Sequence, residues 1–183
     1  QADVQAAEPE AHSQEAAEEI PAPSPKSRGM VFDIGANCGQ SSARYLEAGC
    51  RVVALEPNPA AVAALRQRLQ RYLDSGQLRL EEKAVWLPNA LPDGCARIPL
   101  YVNEEDSEWS SLHEACGKRF DTAARTVLVE TTTLANLFST YGAPQYLKLD
   151  TEGSDGVILR QLKELQPLPL YLSFELNSLS YLA

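Results

Sequence analysis

The chain has 183 residues, 44% of them hydrophobic, and a formal net charge of −9 at pH 7. This length suits one domain with a substantial apolar core. The negative charge argues against nucleic acid or an anionic membrane as partner, because phosphate groups are held by clustered Lys and Arg. No apolar run approaches the roughly 18 residues that span a bilayer. We therefore expect a soluble chain, cytoplasmic by default, with a small-molecule partner; the sequence leaves its oligomeric state open.

The first 28 residues differ in composition from the rest. They are rich in Ala, Glu, Pro and Ser and poor in aliphatic and aromatic residues, so burial cannot offset the entropy of ordering them. We predict a disordered acidic tail or linker at residues 1–28 and one folded domain over residues 29–183.

The cysteines do not form a zinc-binding pattern. No C-x-x-C pair occurs, and only two histidines accompany them, so no metal site of this kind is predicted. Small buried or partly exposed thiols are the simpler interpretation, with disulfides as the alternative, for Cys38, Cys50, Cys95 and Cys116.

From Met30 onward, short apolar runs alternate with helical stretches, which is typical of βαβ units and a parallel sheet. We predict a buried strand at residues 31–34, a glycine-bearing turn at 35–39 and a helix at about 40–48. A second strand at 51–55 leads to Asn58, which can cap a helix, and Pro59, which suits a first helical position. That second helix closes at Gly76.

The following segment is less regular. We predict a third strand at residues 78–85, and between 87 and 126 a functional loop or lid containing a short strand at 98–102. The remaining predicted elements are strands at 126–130, 145–149 and 170–176 and helices at 133–140 and 154–165.

The turn between the first strand and helix predicts a ligand site. Glycine lets a ligand approach the backbone, and a helix N-terminus offers free N–H groups. The spacing G-x-x-x-G does not match the G-x-G-x-x-G of dinucleotide sites. With acidic Asp33 just before Gly35, the turn favours S-adenosylmethionine, whose ammonium group an acid can bind.

Glu56 supports the same ligand. It ends the second strand about 20 residues beyond the first glycine, where an acid accepts hydrogen bonds from both ribose hydroxyls. The alternative is that Glu56 is a solvated loop acid and Asp33 a helix cap.

Several stretches carry a resemblance to a known family. They are VFDIGANCGQ from Val31, VVALEPNP from Val52, Ser110-Ser111-Leu112, YLKLDTEGSDGVIL from Tyr146 and LSFELN from Leu172. On these stretches the chain resembles the FkbM-type methyltransferases. The resemblance implies an α/β, Rossmann-like class I methyltransferase fold with a doubly wound, mostly parallel sheet. It also implies methylation of a hydroxyl group on a sugar, glycan or small metabolite.

The resemblance assigns roles to individual residues. The methionine end of the cofactor would contact Asp33, Gly35, Asn37 and Gly39. Glu56 would hold its ribose, and Asn58 would lie beside its adenosine. The segment Lys83-Ala84-Val85 would pass near its adenine. The transferring methyl would face the block formed by Lys148, Asp150, Glu152 and Gly153. Such folds usually have more than the roughly five principal strands predicted from this sequence, so we expect the last strands to be missing, in a fragment or a trimmed fold.

A hydroxyl acceptor must be aligned with the methyl and must lose its proton to a base. Asp150, beside Lys148, is the first candidate, His113 the second and Glu175 the third. Each has a structural alternative: Asp150 as the partner of Lys148, His113 as a surface residue, and Glu175 as a strand-end cap or ion-pair partner.

Three further hypotheses stay open. The carboxylates of Asp150 and Glu152 are suitable ligands for Mg²⁺ or Ca²⁺, although no metal is part of the main prediction. Trp109 and Tyr101 are placed to stack on a flat acceptor or to anchor the loop. The alternative functions are a non-catalytic methyltransferase-like binding module and, less favoured by the glycine spacing, a nucleotide-cofactor oxidoreductase.

Overall fold

The computed structural model describes residues 29–87 and 97–175. The predicted tail and Cys95 lie outside these ranges. In chain order the strands and α-helices are β1 (Met30–Ile34), α1 (Gln40–Glu47), β2 (Arg51–Leu55), α2 (Pro59–Asp74), β3 (Leu78–Glu81), β4 (Lys83–Val85), β5 (Arg97–Asn103), α3 (Glu114–Gly117), β6 (Ala124–Thr132), α4 (Leu134–Tyr141), β7 (Tyr146–Leu149), α5 (Asp155–Gln161) and β8 (Tyr171–Phe174).

The main sheet has five strands in the order β3-β2-β1-β7-β8, and every neighbouring pair is parallel. The strand order reverses between β1 and β7, and parallel sheets bind ligands outside the carboxyl ends of the strands at such a point. The ends of the three central strands are in register there, since Ile34 pairs with both Leu55 and Leu149.

Helices cover both faces of this sheet because successive side chains of each strand point to opposite faces. On one face, Val31 and Val52 pack with residues of α1 and α2. On the other face, Phe32 and Leu147 pack with residues of α4 and α5. The predicted doubly wound α/β fold with a mostly parallel sheet is therefore confirmed.

A second, three-stranded sheet has the order β4-β6-β5. Its β4–β6 pair is parallel and its β5–β6 pair antiparallel. The prediction of one strand over residues 78–85 is wrong, because the chain leaves the main sheet at Glu82 and enters the second sheet at Lys83. The region predicted as a loop is also more regular than expected, since β5 pairs with β6 along its whole length.

Two composition-based expectations can be compared with the described residues. Within them, Cys38 is partly exposed, Cys50 and Cys116 are buried, and no two of these three are joined by a disulfide. None of the described helices is both long and apolar enough to cross a membrane.

Candidate functional site

A cavity of about 310 Å³ lies at the carboxyl edge of the main sheet, where the strand order reverses. The second sheet forms its opposite wall. It is lined by residues 34–37, 55–57, 83–85, 110–112 and 150–152, with Gln40, Ser41, Leu100, Ser107, Glu108 and Lys148.

The structure brings most of the predicted site residues to this cavity. Those that line it are Gly35, Asn37, Glu56, Ala84, Lys148 and Asp150. Of the other described residues that the sequence placed at the site, Lys83, Val85 and Glu152 also line the cavity, whereas the following do not: Asp33, Gly39, Asn58, His113, Gly153 and Glu175.

Glu56 is held by the backbone on both of its oxygens. Oε2 accepts the N–H of Asn37 and Oε1 the N–H of Asn58, each at 2.8 Å. Its carboxyl is buried, with 7% of the residue exposed, so it is not a solvated loop acid. Burial raises the pKa of Glu56 to about 7, although the two backbone hydrogen bonds act in the opposite direction. Since a carboxylate accepts about four hydrogen bonds, Glu56 retains acceptor capacity for donors in the cavity.

Asn58 and Gly39 shape the wall from behind. The Oδ1 atom of Asn58 accepts the N–H of Ala60 at 3.1 Å and caps α2, as predicted. Gly39 is buried against α2, where an added Cβ would lie 2.9 Å from a methyl carbon of Leu69. Both residues therefore fix where α2 begins and packs, which in turn fixes the backbone around Glu56.

Asp33, Lys148 and Asp150 form a row of alternating charges, the charge row. Asp33 and Lys148 are partners in the register of β1 and β7. The Nζ atom of Lys148 lies 3.3 Å from Oδ1 of Asp33 and 3.1 Å from Oδ2 of Asp150, and Ser42 donates to the other oxygen of Asp33 at 2.6 Å. Burial alone would lower the pKa of Lys148, but the two carboxylates outweigh it and raise that pKa.

Asp150 is both an ion-pair partner and a cavity residue. Its side chain is 42% exposed, whereas that of Asp33 is fully buried. Asp150 can therefore be both the ion-pair partner of Lys148 and a candidate base, since one carboxyl oxygen contacts Lys148 and the group still faces the cavity.

Two further acids accompany Asp150. One carboxylate oxygen from each of Asp150, Glu152 and Glu175 lies within 4.8 Å of the others. Burial raises the pKa of Glu152, although its ion pair with Arg119 acts against this. This spacing suits a divalent cation with oxygen ligands, and it also suits a proton acceptor beside a polar ligand. The first and third candidate bases are thus neighbours.

His113, the second candidate base, does not line the cavity. Its Nε2 atom is 3.3 Å from the Ser154 hydroxyl, and its ring centroid is 6.0 Å from that of Trp86. Burial lowers the pKa of His113, which favours its neutral imidazole.

A segment from the second sheet forms one wall of the cavity, within the region where the sequence predicted a functional loop or lid. Residues 107–112, the strap, follow β5 and return to it through an isolated bridge between Ser111 and Tyr101. The Ser111 hydroxyl donates to the backbone carbonyl of Glu152 at 2.7 Å, which fastens the strap to the main sheet. The cavity residues Ser107 and Glu108 were not predicted, because no local pattern marks them; the resemblance marked only residues 110–112.

A mainly parallel sheet with helices on both faces and a cavity at its switch point is the arrangement of Rossmann-like methyltransferases. The chain matches the family model of the Methyltransferase FkbM domain over residues 33–176. It belongs to that family, as the resemblance in its motifs predicted.

Two solved structures are similar to the chain. One is methyltransferase FkbM from Methylobacillus flagellatus KT, with 21% identity and a TM-score of 0.47, covering 76% of this chain and 31% of that one. The other is the C-terminal domain of precorrin-6Y C5,15-methyltransferase from Rhodobacter capsulatus, with 14% identity and a TM-score of 0.41, covering 76% of this chain and 49% of that one. The chain thus spans less than a third of the first relative's length. No curated protein matches it.

Proposed function

We propose that this domain binds S-adenosylmethionine in the cavity and transfers the methyl group to a hydroxyl oxygen of a small metabolite or sugar. The observation that carries the proposal is Glu56, a buried acid that faces the cavity with both oxygens oriented by backbone N–H groups. Membership of a methyltransferase family supports the same cofactor.

The lining residues fit the parts of this cofactor. Glu56 would accept hydrogen bonds from the two ribose hydroxyls, and the backbone at Gly35 and Asn37 would contact the methionine end. The apolar surface formed by Leu55, Ala84 and Val85 would hold the adenine ring. When bound, the cofactor supplies an electrophilic methyl group on a sulfonium.

Asp33 would act on this site indirectly. Its carboxylate is fully buried and its contacts are with Ser42 and Lys148, so it holds Lys148 in place and does not reach a ligand itself. Asp150, at the cavity end of the charge row, is then the group that takes the proton of the acceptor hydroxyl. Positioning of the acceptor and removal of its proton are the two contributions that these residues make.

Calorimetric titration with S-adenosylmethionine, its product S-adenosylhomocysteine and NAD tests the cofactor. We expect both adenosyl ligands to bind at the cavity and NAD to bind far more weakly, because G-x-x-x-G offers no pyrophosphate cradle. Binding of NAD alone would favour the oxidoreductase alternative. Binding of the adenosyl ligands without methylation of any hydroxylated acceptor would favour the non-catalytic module.

Replacing Glu56 should weaken cofactor binding strongly. A hydrogen bond to a charged group contributes about 1.5–3 kcal/mol, so losing two costs about 3 kcal/mol or more and should reduce affinity by at least about 100-fold in Glu56→Ala. The matched control is Glu47→Ala, which removes an exposed acid from α1 and should leave affinity unchanged. Calorimetry at pH 8 measures both, and equal affinities for the two variants would contradict the assignment.

The pH dependence of binding should report the same carboxyl. Hydroxyl donors favour ionised Glu56, whose pKa in the free protein is about 7 against an ordinary 4.5. Affinity should therefore be constant above pH 8 and fall about tenfold by pH 6, one unit below that pKa. Stability shows the opposite trend: because folding raises this pKa, the contribution of Glu56 is greatest below pH 4.5 and is lost as pH rises through 7. In Glu56→Gln the decline in affinity between pH 8 and pH 6 should disappear.

A further inference from the structure

An aromatic pair, half-buried Trp109 and exposed Phe120, lies next to residues that line the cavity. The ring centroids of Trp109 and Phe120 are 5.3 Å apart and their planes are inclined by 60°. The guanidinium carbon of Arg119 is 5.9 Å from the centre of the Trp109 ring. We call Trp109 and Phe120 the aromatic platform. Phe120 is 80% exposed, so this ring contributes little to any apolar core.

The backbone holds Phe120 in an unfavourable conformation. Its φ and ψ are 56° and 31°, and Asp121 follows with φ of 59°. Left-handed backbone is a genuine outlier for a bulky residue, and such outliers cluster at functional sites. Here the strained turn presents an apolar ring to solvent, which folding by itself does not favour.

The platform adjoins residues that line the cavity, although neither of its rings lines the cavity itself. Trp109 directly follows Ser107 and Glu108, which line the cavity. Arg119, adjacent to Phe120, forms an ion pair with the cavity residue Glu152 and donates to the carbonyl of Cys116 at 3.0 Å. Both rings are therefore tied to the cavity mouth on the side where Asp150, Glu152 and Glu175 converge.

We propose that the aromatic platform is the acceptor subsite and that it takes an uncharged pyranose ring. This inference rests on the proposed function and names where its acceptor binds. The C–H face of a sugar ring stacks on an aromatic ring, while its hydroxyl groups donate to nearby carboxylates. The carboxylates at the mouth, Asp150, Glu152 and Glu108, suit a ligand with many hydroxyl donors, and their negative charge disfavours an anionic sugar.

Saturation-transfer NMR and titration with three probes test the subsite. The probes are methyl β-D-glucopyranoside, the corresponding glucuronide and phenol, each added to the full chain saturated with S-adenosylhomocysteine. We expect the glucopyranoside to bind at least fivefold more tightly than the glucuronide or phenol. Tighter binding of phenol would overturn the pyranose assignment in favour of an aromatic acceptor, and tighter binding of the glucuronide would overturn the charge argument.

Variants locate the binding surface. Trp109→Ala and Phe120→Ala should each weaken glucopyranoside binding at least fivefold, whereas Leu128→Ala, which removes a side chain 65% exposed on β6, should not. Phe120→Gly gives the sharpest result: it relieves the left-handed strain, so the melting temperature should stay the same or rise while sugar binding is lost. Loss of the fold in Phe120→Gly, or equal effects of Phe120→Ala and Leu128→Ala, would overturn the proposal.

The two proposals fail separately in this design. Unchanged binding of S-adenosylhomocysteine with no platform-dependent sugar binding overturns the subsite alone. Sugar binding that depends on the platform, in a chain that does not bind S-adenosylhomocysteine, upholds the platform as a pyranose-binding surface and overturns the proposed cofactor.

Discussion

Asp150→Asn should slow methyl transfer by about 1,000-fold while leaving affinity for S-adenosylmethionine within about twofold. General-base catalysis contributes typically 10²–10⁴-fold, and the amide cannot accept the hydroxyl proton. The fold should tolerate the change, because Asn keeps an oxygen for Lys148, which also retains its ion pair with Asp33. Single-turnover rates with a labelled cofactor, measured beside calorimetric affinities, provide the test.

The other two candidate bases serve as matched controls. His113→Gln should leave the rate nearly unchanged, since His113 does not line the cavity. Glu175→Gln should have a smaller effect than Asp150→Asn, because Glu175 is exposed. A larger loss of rate in His113→Gln than in Asp150→Asn would contradict the role given to Asp150. If chelation by EDTA also inactivates the unaltered protein and Mg²⁺ or Ca²⁺ restores it, the acids act as metal ligands and the base assignment is wrong.

Gly35→Ala should destabilise the domain by about 3 kcal/mol or more. An added Cβ would lie 1.8 Å from the carbonyl oxygen of Asp150 and 2.7 Å from its carbonyl carbon. These are backbone atoms at the end of β7, so relief requires the strand ends to separate. The φ of +82° at Gly35 adds about 1–2 kcal/mol of left-handed strain to an overpacking cost of about 1–3 kcal/mol. Urea unfolding monitored by circular dichroism measures the loss.

Gly49→Ala separates these two contributions. Gly49 has a similar φ of +86°, but nothing lies within 4 Å of a Cβ placed there. This variant should therefore lose only the strain contribution of about 1–2 kcal/mol. If both variants lose the same free energy of unfolding, the close approach of the first turn to the end of β7 is not a constraint on the fold.

The elements that the sequence predicted well are those with local determinants. β1, β2 and α2 begin and end within a residue or two of prediction, because each combines an apolar run with a capping or turn residue. Asn58 caps α2 through Ala60 as its residue type suggested. The helix predicted at residues 154–165 stops earlier, since α5 ends at Gln161 and a 3-10 turn, Leu162–Glu164, follows.

The second sheet could not be predicted because its pairing is not local. Residues 78–85 were predicted as one strand interrupted by the charged residues 81–83, yet β4 pairs with β6, far along the chain. The charged residues Glu81, Glu82 and Lys83 mark the interruption, but they do not show that the chain changes sheets there. β5 also pairs with β6, so its place in the second sheet depends on residues distant in the chain.

The residues of the candidate site also divide into those that the local sequence predicted and those that depend on tertiary contacts. Glu56 and Asp150 were predicted because each follows a buried strand, and parallel strands place such residues at one edge. The strap reaches the cavity only through tertiary contacts, such as that between Ser111 and Glu152, so Glu108 carried no local signal. Asp33 was predicted at the correct strand end, but its side-chain partners, Ser42 and Lys148, depend on the packing of α1 and β7.

The charge row has a consequence for the energetics of turnover. With both carboxylates ionised, Asp33, Lys148 and Asp150 together bear one excess negative charge, which matches a single cationic sulfur. Once Asp150 has accepted a proton, the three groups sum to zero, as does the sulfur after losing its methyl. For these three groups and the sulfur, the proposed reaction thus keeps the sum of charges at zero before and after methyl transfer, so the transfer leaves no uncompensated charge in the charge row.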